Sequence, residues 1–180
     1  MTLRKIALLG QPVLLTRAEP VPDPAAPEIQ RLIDDMLATM VDAEGIGLAA
    51  PQVHESLRIV VALDLADRTQ RAGAVAHVLI NPELELIGAA DQLAFEGCLS
   101  IPGLRGRVAR HADLRYRALD RHGRPIAGLA SGLFARVLQH EVDHLDGILY
   151  PMRMPDLRAL AFDREVPHLT AWLEQRGDLP

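Results

Sequence analysis

Aromatic residues make up only 3% of this chain of 180 residues, so its core has to rest on Leu, Ile, Val, Ala and Met. There is one cysteine, Cys98, which excludes an intramolecular disulfide and fits a reducing compartment. No apolar run approaches the roughly 20 residues of a membrane helix. The first ten residues hold a basic pair and a short apolar stretch. Gln11 and Pro12 interrupt that stretch, and no small-residue cleavage site follows. Positive charge is also in deficit: the net charge is -5, which argues against a broad grip on nucleic acid. A stretch rich in Arg and His, residues 105–124, reads mostly as a solvated strand face. The expectation is a cytoplasmic domain of enzyme size, with no membrane contact and no direct reading of nucleic acid.

What is present is ordinary for a packed domain: 49% apolar and 24% charged residues. Residues 18–27, rich in Pro and Ala, read as an extended loop. Pro27 then suits the first position of a helix, and Ile29, Leu32, Ile33, Met36, Leu37 and Met40 follow at helical spacing. That helix should end near Glu44, before Gly45 and Gly47. Residues 57–65 read as a strand, 67–73 as a surface loop, and 77–81 and 83–87 as two strands separated by Pro82. Leu114, Tyr116 and Ala118 alternate with arginines, as in a half-buried strand. Residues 120–125 read as a hairpin turn, followed by a short strand to Leu129. A second helix is expected from Ser131 to about Leu145, with Gly147 as its stop. Residues 165–175 suggest a short terminal helix anchored by Leu169 and Trp172. Helix, several strands, then helix gives an α+β class in a single domain, 1–180, with a short variable tail after about residue 155.

The strongest local signal is His140-Glu141-Val142-Asp143-His144. On a helix, positions i and i+4 share a face, so two imidazoles at that spacing can converge on one metal ion. Glu141 beside them can reach a water on that ion. Random placement of these residue types gives the pattern on the order of once in a hundred such chains, so spacing alone does not decide. The surroundings weigh against two solvated histidines. Leu133, Val137, His140 and His144 form one stripe, where unpaired imidazoles would be costly to bury. A catalytic site usually has three protein ligands and one open position, and Cys98 in Glu96-Gly97-Cys98-Leu99-Ser100 is the candidate third. A divalent ion with one thiolate and two neutral imidazoles keeps about one net positive charge, enough to lower a water's pKa toward neutrality. Sulfur is a soft ligand, so iron(II), zinc, cobalt and nickel are all admissible. Hydrolysis also needs a donor for the developing oxyanion. Gly45-Ile46-Gly47-Leu48-Ala49-Ala50-Pro51-Gln52 offers a close-packing backbone and the Gln52 amide. By itself this segment reads rather as a tight loop between helix and strand, with Gln52 at the surface.

Taken together in this order and separation, the three segments (the last extended to Gln139–Gly147) resemble the peptide deformylases over residues 1 to about 155. Those are metal hydrolases that remove the formyl group from N-formylmethionine on new polypeptides. The resemblance implies that Cys98, His140 and His144 bind the metal, natively iron(II), with zinc, nickel or cobalt able to substitute. It implies attack by metal-bound water, with Glu141 as general acid/base, and an oxyanion held by the Gln52 side chain and the Leu99 backbone N–H. Ile46, Gly47, Glu96, Gly97, Leu133 and Val137 would form the methionine pocket, with the peptide added as an extended strand. Arg136 is assigned either to the pocket rim or to solvent, and Arg105 matches a position near the far end of the peptide. The implied fold wraps antiparallel sheets around a central helix carrying both histidines. Transient ribosome association follows from the substrate, since the tail carries no long basic helix.

Two other readings stand beside this one. A metallopeptidase would take its third ligand downstream, where Glu165 is the only glutamate at a suitable distance. A metal-bound interaction module without catalysis would not need Glu141.

Overall fold

The structure is a computed structural model that describes residues 1–65 and 74–176. The loop expected over residues 67–73 lies outside them.

The first helix, α1, spans Pro27–Asp42 and buries Ile29, Leu32, Ile33, Met36 and Met40. Proline supplies a preset φ at its first position, where no N–H is needed. Short β1 (Gly47–Ala49) follows, then β2 (Ile59–Asp64). The run Ile59-Val60-Val61-Ala62-Leu63 is buried throughout. Period 2 explains this run. Ile59, Val61 and Leu63 pack with α1, whereas Val60 and Ala62 pack with the histidine-bearing helix on the opposite face.

The two strands expected on either side of Pro82 are one element, β3 (Val75–Ile87). Its pairing shifts register between Ile80 and Glu83, and Asn81 adopts a φ of 51° there. Pro82 has no N–H to give a ladder, so it sits in the bulge instead of ending the strand. Asn81 fills the gap with its side chain. Its Oδ1 accepts from Val21 N (2.9 Å), and its Nδ2 donates to Val21 O (3.0 Å).

Next come β4 (Gln92–Cys98), β5 (Ile101–Arg110), β6 (Asp113–Leu119) and β7 (Pro125–Ser131). β6 and β7 form the expected hairpin, in the register Leu119↔Pro125. All the strands pair antiparallel, in two sheets: β1-β2-β3-β6-β7 and β4-β5-β8, where β8 is Leu160–Phe162. Helix α2 (Gly132–Leu145) packs Phe134, Ala135, Val137, Leu138 and Leu145 onto the larger sheet. On its other side it is joined to β4 and β5 by ion pairs and hydrogen bonds, described below. Gly147 stops it with a φ of 73°, and any Cβ there would lie 2.8 Å from the Leu15 carbonyl carbon. The α+β class and the central helix are as expected.

The tail is more ordered into the fold than its sequence suggests. β8 pairs with β5, and α3 (Val166–Gln175) follows. Leu173, at 5% exposure, is the buried residue of α3. Trp172 is not the anchor expected: it is 42% exposed, with the Arg176 guanidinium over its ring. The expectation for residues 105–124 also needs correction. Arg115, Arg117 and Arg124 do face solvent, but Arg107 and Arg110 are buried.

Candidate active site

α2 places His140 and His144 one turn apart, with ring centroids 5.0 Å apart. The β4–β5 turn brings Cys98 to them. Ligand atoms of Cys98, His140 and His144 lie within 4.8 Å of one another. His140 is held from behind, whereas the buried His144 Nδ1 has no hydrogen-bond partner among the described residues. His140 Nδ1 bonds Glu96 Oε2 (2.9 Å), which turns its Nε2 away from that carboxylate. His144 Nε2 lies 3.2 Å from Cys98 Sγ. Burial pulls the His144 pKa well below its ordinary value, so the ring is held neutral, as a ligand must be. Cys98 Sγ accepts from Ser100 N (3.4 Å) and from Gln52 Nε2 (3.4 Å).

A divalent metal ion fits this cluster. Burial alone would lower the His140 pKa. Its hydrogen bonds with Cys98 and Glu96, and the nearby charge of Glu141, outweigh burial and raise it well above normal. The negative field that draws a proton to this point serves a cation equally. One thiolate and two imidazoles would hold such an ion and leave a coordination position free for water.

Glu141 is buried, and its Oε2 makes no hydrogen bond among the described residues. Burial pushes its carboxyl up to about 7, near the value at which a group can both take and give a proton. Its position depends on Gly47. A Cβ on Gly47 would come within 2.9 Å of Glu141 Cδ, so only glycine lets β1 pass so close. Gln52 is buried and directional. Its Oε1 accepts from Ala49 N (2.9 Å), which leaves Nε2 to donate toward Cys98 and Ser100 Oγ (3.2 Å). The segment that by itself read as a loop with Gln52 at the surface is therefore part of the interior.

Behind the cluster lies an ion network that the sequence reading missed. Arg110 binds Glu96 through two nitrogens (2.9 and 3.0 Å) and Asp143 through a third (2.6 Å). Arg153 completes Asp143 at 2.8 Å. Arg136 donates to Glu96 Oε1 (2.8 Å), to Val108 O (3.0 Å) and to Gln92 O. Burial alone would raise the Glu96 carboxyl; its bonds to His140 and Arg110, and the Arg110 charge, hold it well below the carboxylate range. The only sequence signal was Asp143, three residues after His140 and so near it on the helix.

A cavity of about 410 Å³ opens beside these groups. Ile46, Gly47, Gln52, Glu96, Gly97, Cys98, Leu99, Arg105, Leu133, Arg136, Val137, His140 and Glu141 all line it. His144 alone of the expected residues does not. The Glu96 carboxylate is committed to Arg110, Arg136 and His140, so it orients the site more than it offers a surface to a ligand. Arg136 lines the cavity and is tied inward by its three bonds. Arg105 pairs with Asp163, which also lines the cavity. Glu165, the rival third ligand, is exposed and outside the cluster.

The sequence pattern described as polypeptide deformylase matches residues 3–159. The chain is 48% identical over 162 residues to peptide deformylase 2 of Ralstonia nicotianae, covering 89% of this chain and 92% of the relative. It is 45% identical over 159 residues to peptide deformylase 2 of Bordetella bronchiseptica, covering 87% and 90%. Among solved structures it is similar to a class I type b peptide deformylase from Acinetobacter baumannii with Met-Ala-Ser bound. That match has a TM-score of 0.78 at 34% identity and covers 85% and 99% of the two chains. The peptide deformylase of Thermotoga maritima matches with a TM-score of 0.77 at 35% identity, covering 87% and 100%.

Proposed function

The chain belongs to the polypeptide deformylase family; on that premise it is a metal-dependent amide hydrolase that releases formate from N-formylmethionyl polypeptides, and we propose which groups carry each part of that reaction. The carrying observation is the convergence of Cys98, His140 and His144 beside a buried Glu141 whose Oε2 has no partner among the described residues, with Cys98, His140 and Glu141 lining a cavity.

Cys98 Sγ, His140 Nε2 and His144 Nε2 would hold the ion. When bound, the ion supplies Lewis acidity, lowering the pKa of water toward neutrality and polarising the formyl carbonyl. Glu141 takes the proton from the attacking water at a carboxylate oxygen and delivers it to the departing amine. Gln52 Nε2 and the Leu99 backbone N–H donate to the oxygen that gains charge as the tetrahedral carbon forms. Ile46, Gly47, Gly97, Leu133 and Val137 hold the methionine side chain and the adjacent backbone, with Glu96 and Arg136 fixing the wall. The peptide runs on toward Arg105. The Met-Ala-Ser peptide in the Acinetobacter baumannii relative supports this use of the cavity.

The native ion is iron(II), with zinc, nickel and cobalt also accommodated, because a thiolate among imidazoles suits each of them. Metal analysis after anaerobic purification, with activity restored by iron(II), checks this. The enzyme works as one catalytic domain, 1–180, in the cytoplasm, and meets the ribosome transiently where its substrate emerges. No helix among the described residues is long and apolar enough to cross a membrane.

Formate release from formyl-Met-Ala-Ser, measured beside cleavage of an internal peptide bond, tests the assignment. Glu141→Ala should abolish release while leaving metal bound. A variant with near-wild-type turnover would remove Glu141 from its role.

A further inference from the structure

The tail contributes Asp163 to the lining of the cavity. β8 pairs with β5 in the register Arg105↔Ala161, and Asp163 follows two residues later, its Oδ1 accepting from Arg105 Nε. On its other side, Arg105 faces Gly97 across the β4–β5 ladder. Its guanidinium lies so close over Gly97 that a Cβ there would be 3.3 Å from Arg105 Cζ. Arg105 is thus held between the strand edge that borders the cavity and a carboxylate from the tail. The other cavity arginine, Arg136, is tied to Glu96 and to backbone carbonyls. Asp163 lies beyond residues 3–159, the span matched by the family.

We propose that Asp163 sets the charge preference of this enzyme for the residues after methionine, by neutralising Arg105 where the peptide leaves the cavity. The proposal rests on the cleft's taking a formylmethionyl peptide, as above. With the pair intact, Arg105 offers little net charge to a passing side chain. Without the Asp163 carboxylate, the guanidinium attracts an acidic residue and repels a basic one. Both groups are partly exposed, so the effect is modest and is screened by salt.

The test compares kcat/KM for formyl-methionyl tripeptides carrying Glu or Lys, first or second after methionine. It uses the metal-loaded enzyme and its Asp163→Asn, Arg105→Gln and double variants. Asp163→Asn should raise the Glu-to-Lys ratio by about three- to tenfold at one of the two positions, mainly through KM. That rise should shrink between about 0.02 M and about 0.5 M salt and vanish in the double variant. An unmoved ratio at both positions would overturn the proposal. So would an equal loss on all peptides, which is what a merely structural role predicts, or a shift that survives in the double variant. If the unaltered enzyme released no formate from any of these peptides, the deformylase reading itself would fail, and this one with it.

Discussion

Two guanidinium–carboxylate pairs flank the same cavity and differ in almost everything but chemistry. Arg110 and Glu96 have side chains 6% and 4% exposed, bound through two nitrogens and shared with Asp143, Arg136 and His140. Arg105 and Asp163 are 33% and 50% exposed and touch through one nitrogen. In the first pair, the low dielectric makes every partner necessary, because losing one strands a buried charge. In the second, water can replace either partner at little cost. In the roles proposed above, one pair fixes the His140 ring and the other tunes a charge preference, using the same two functional groups.

The largest effect should come from breaking the inner pair. Arg110→Ala is expected to destabilise the metal-loaded protein by about 3–5 kcal/mol, whereas Asp163→Asn should cost no more than about 1 kcal/mol. Denaturant unfolding of the two variants measures the contrast, and equal losses would break it.

Glu96→Gln isolates the metal end of the same network. The amide cannot hold His140 Nδ1 as a carboxylate does, so metal retention should fall about 10- to 100-fold in chelator competition. Retention equal to that of the parent would mean that His140 is oriented by packing alone.

Gly47→Ala moves a catalytic group without touching a charge. The new methyl would displace Glu141, and kcat should drop by about tenfold or more with metal content unchanged. An unaltered kcat would show that the carboxylate reaches its place by another route.

A smaller effect concerns a pair remote from the cavity. Asp35 on α1 accepts from Thr2 N (2.6 Å) and Arg4 Nε (3.1 Å). The Thr2 N–H, and then Arg4, hold its carboxyl below the usual range, against a smaller upward push from burial. A lowered folded pKa means that its contribution is present above the unfolded value and is lost as pH falls through the folded one. Asp35→Asn should therefore lower stability near neutrality and narrow its difference from the parent as pH falls below the usual aspartate range. Acid unfolding curves that stay parallel would refute this.

How much of this was written in the sequence follows the same inner and outer division. α1 and α2 were readable because each buries one stripe at helical spacing, although only α2 is stopped by a glycine; after α1 the left-handed residue is Glu44. The candidate metal cluster was readable in part because helix geometry alone brings His140 and His144 together. Cys98 needed its neighbours Glu96 and Gly97 and the resemblance that those motifs carry. Arg110 was not readable. Its partner Glu96 lies on the next strand, and the β4–β5 register that joins them is interrupted in sequence by Pro102 and Gly103, which signal a turn. A buried arginine among exposed ones has no local mark, because its burial comes from α2 and β4. In the tail, the helix expected over 165–175 is there as α3, but β8 was missed for a related reason. Leu160-Ala161-Phe162 is too short to declare itself a strand, and it becomes one only by pairing with β5.

The Gln52 amide carries one more consequence. With Oε1 engaged by the Ala49 N–H, the group is a frozen rotor and can show the cleft only its NH2 face. At that point the enzyme asks a single question of a molecule: whether it presents a lone pair. A carbonyl, a carboxylate or an N–O oxygen can answer, whereas an N–H of the same size meets donor against donor and is turned away without any steric clash.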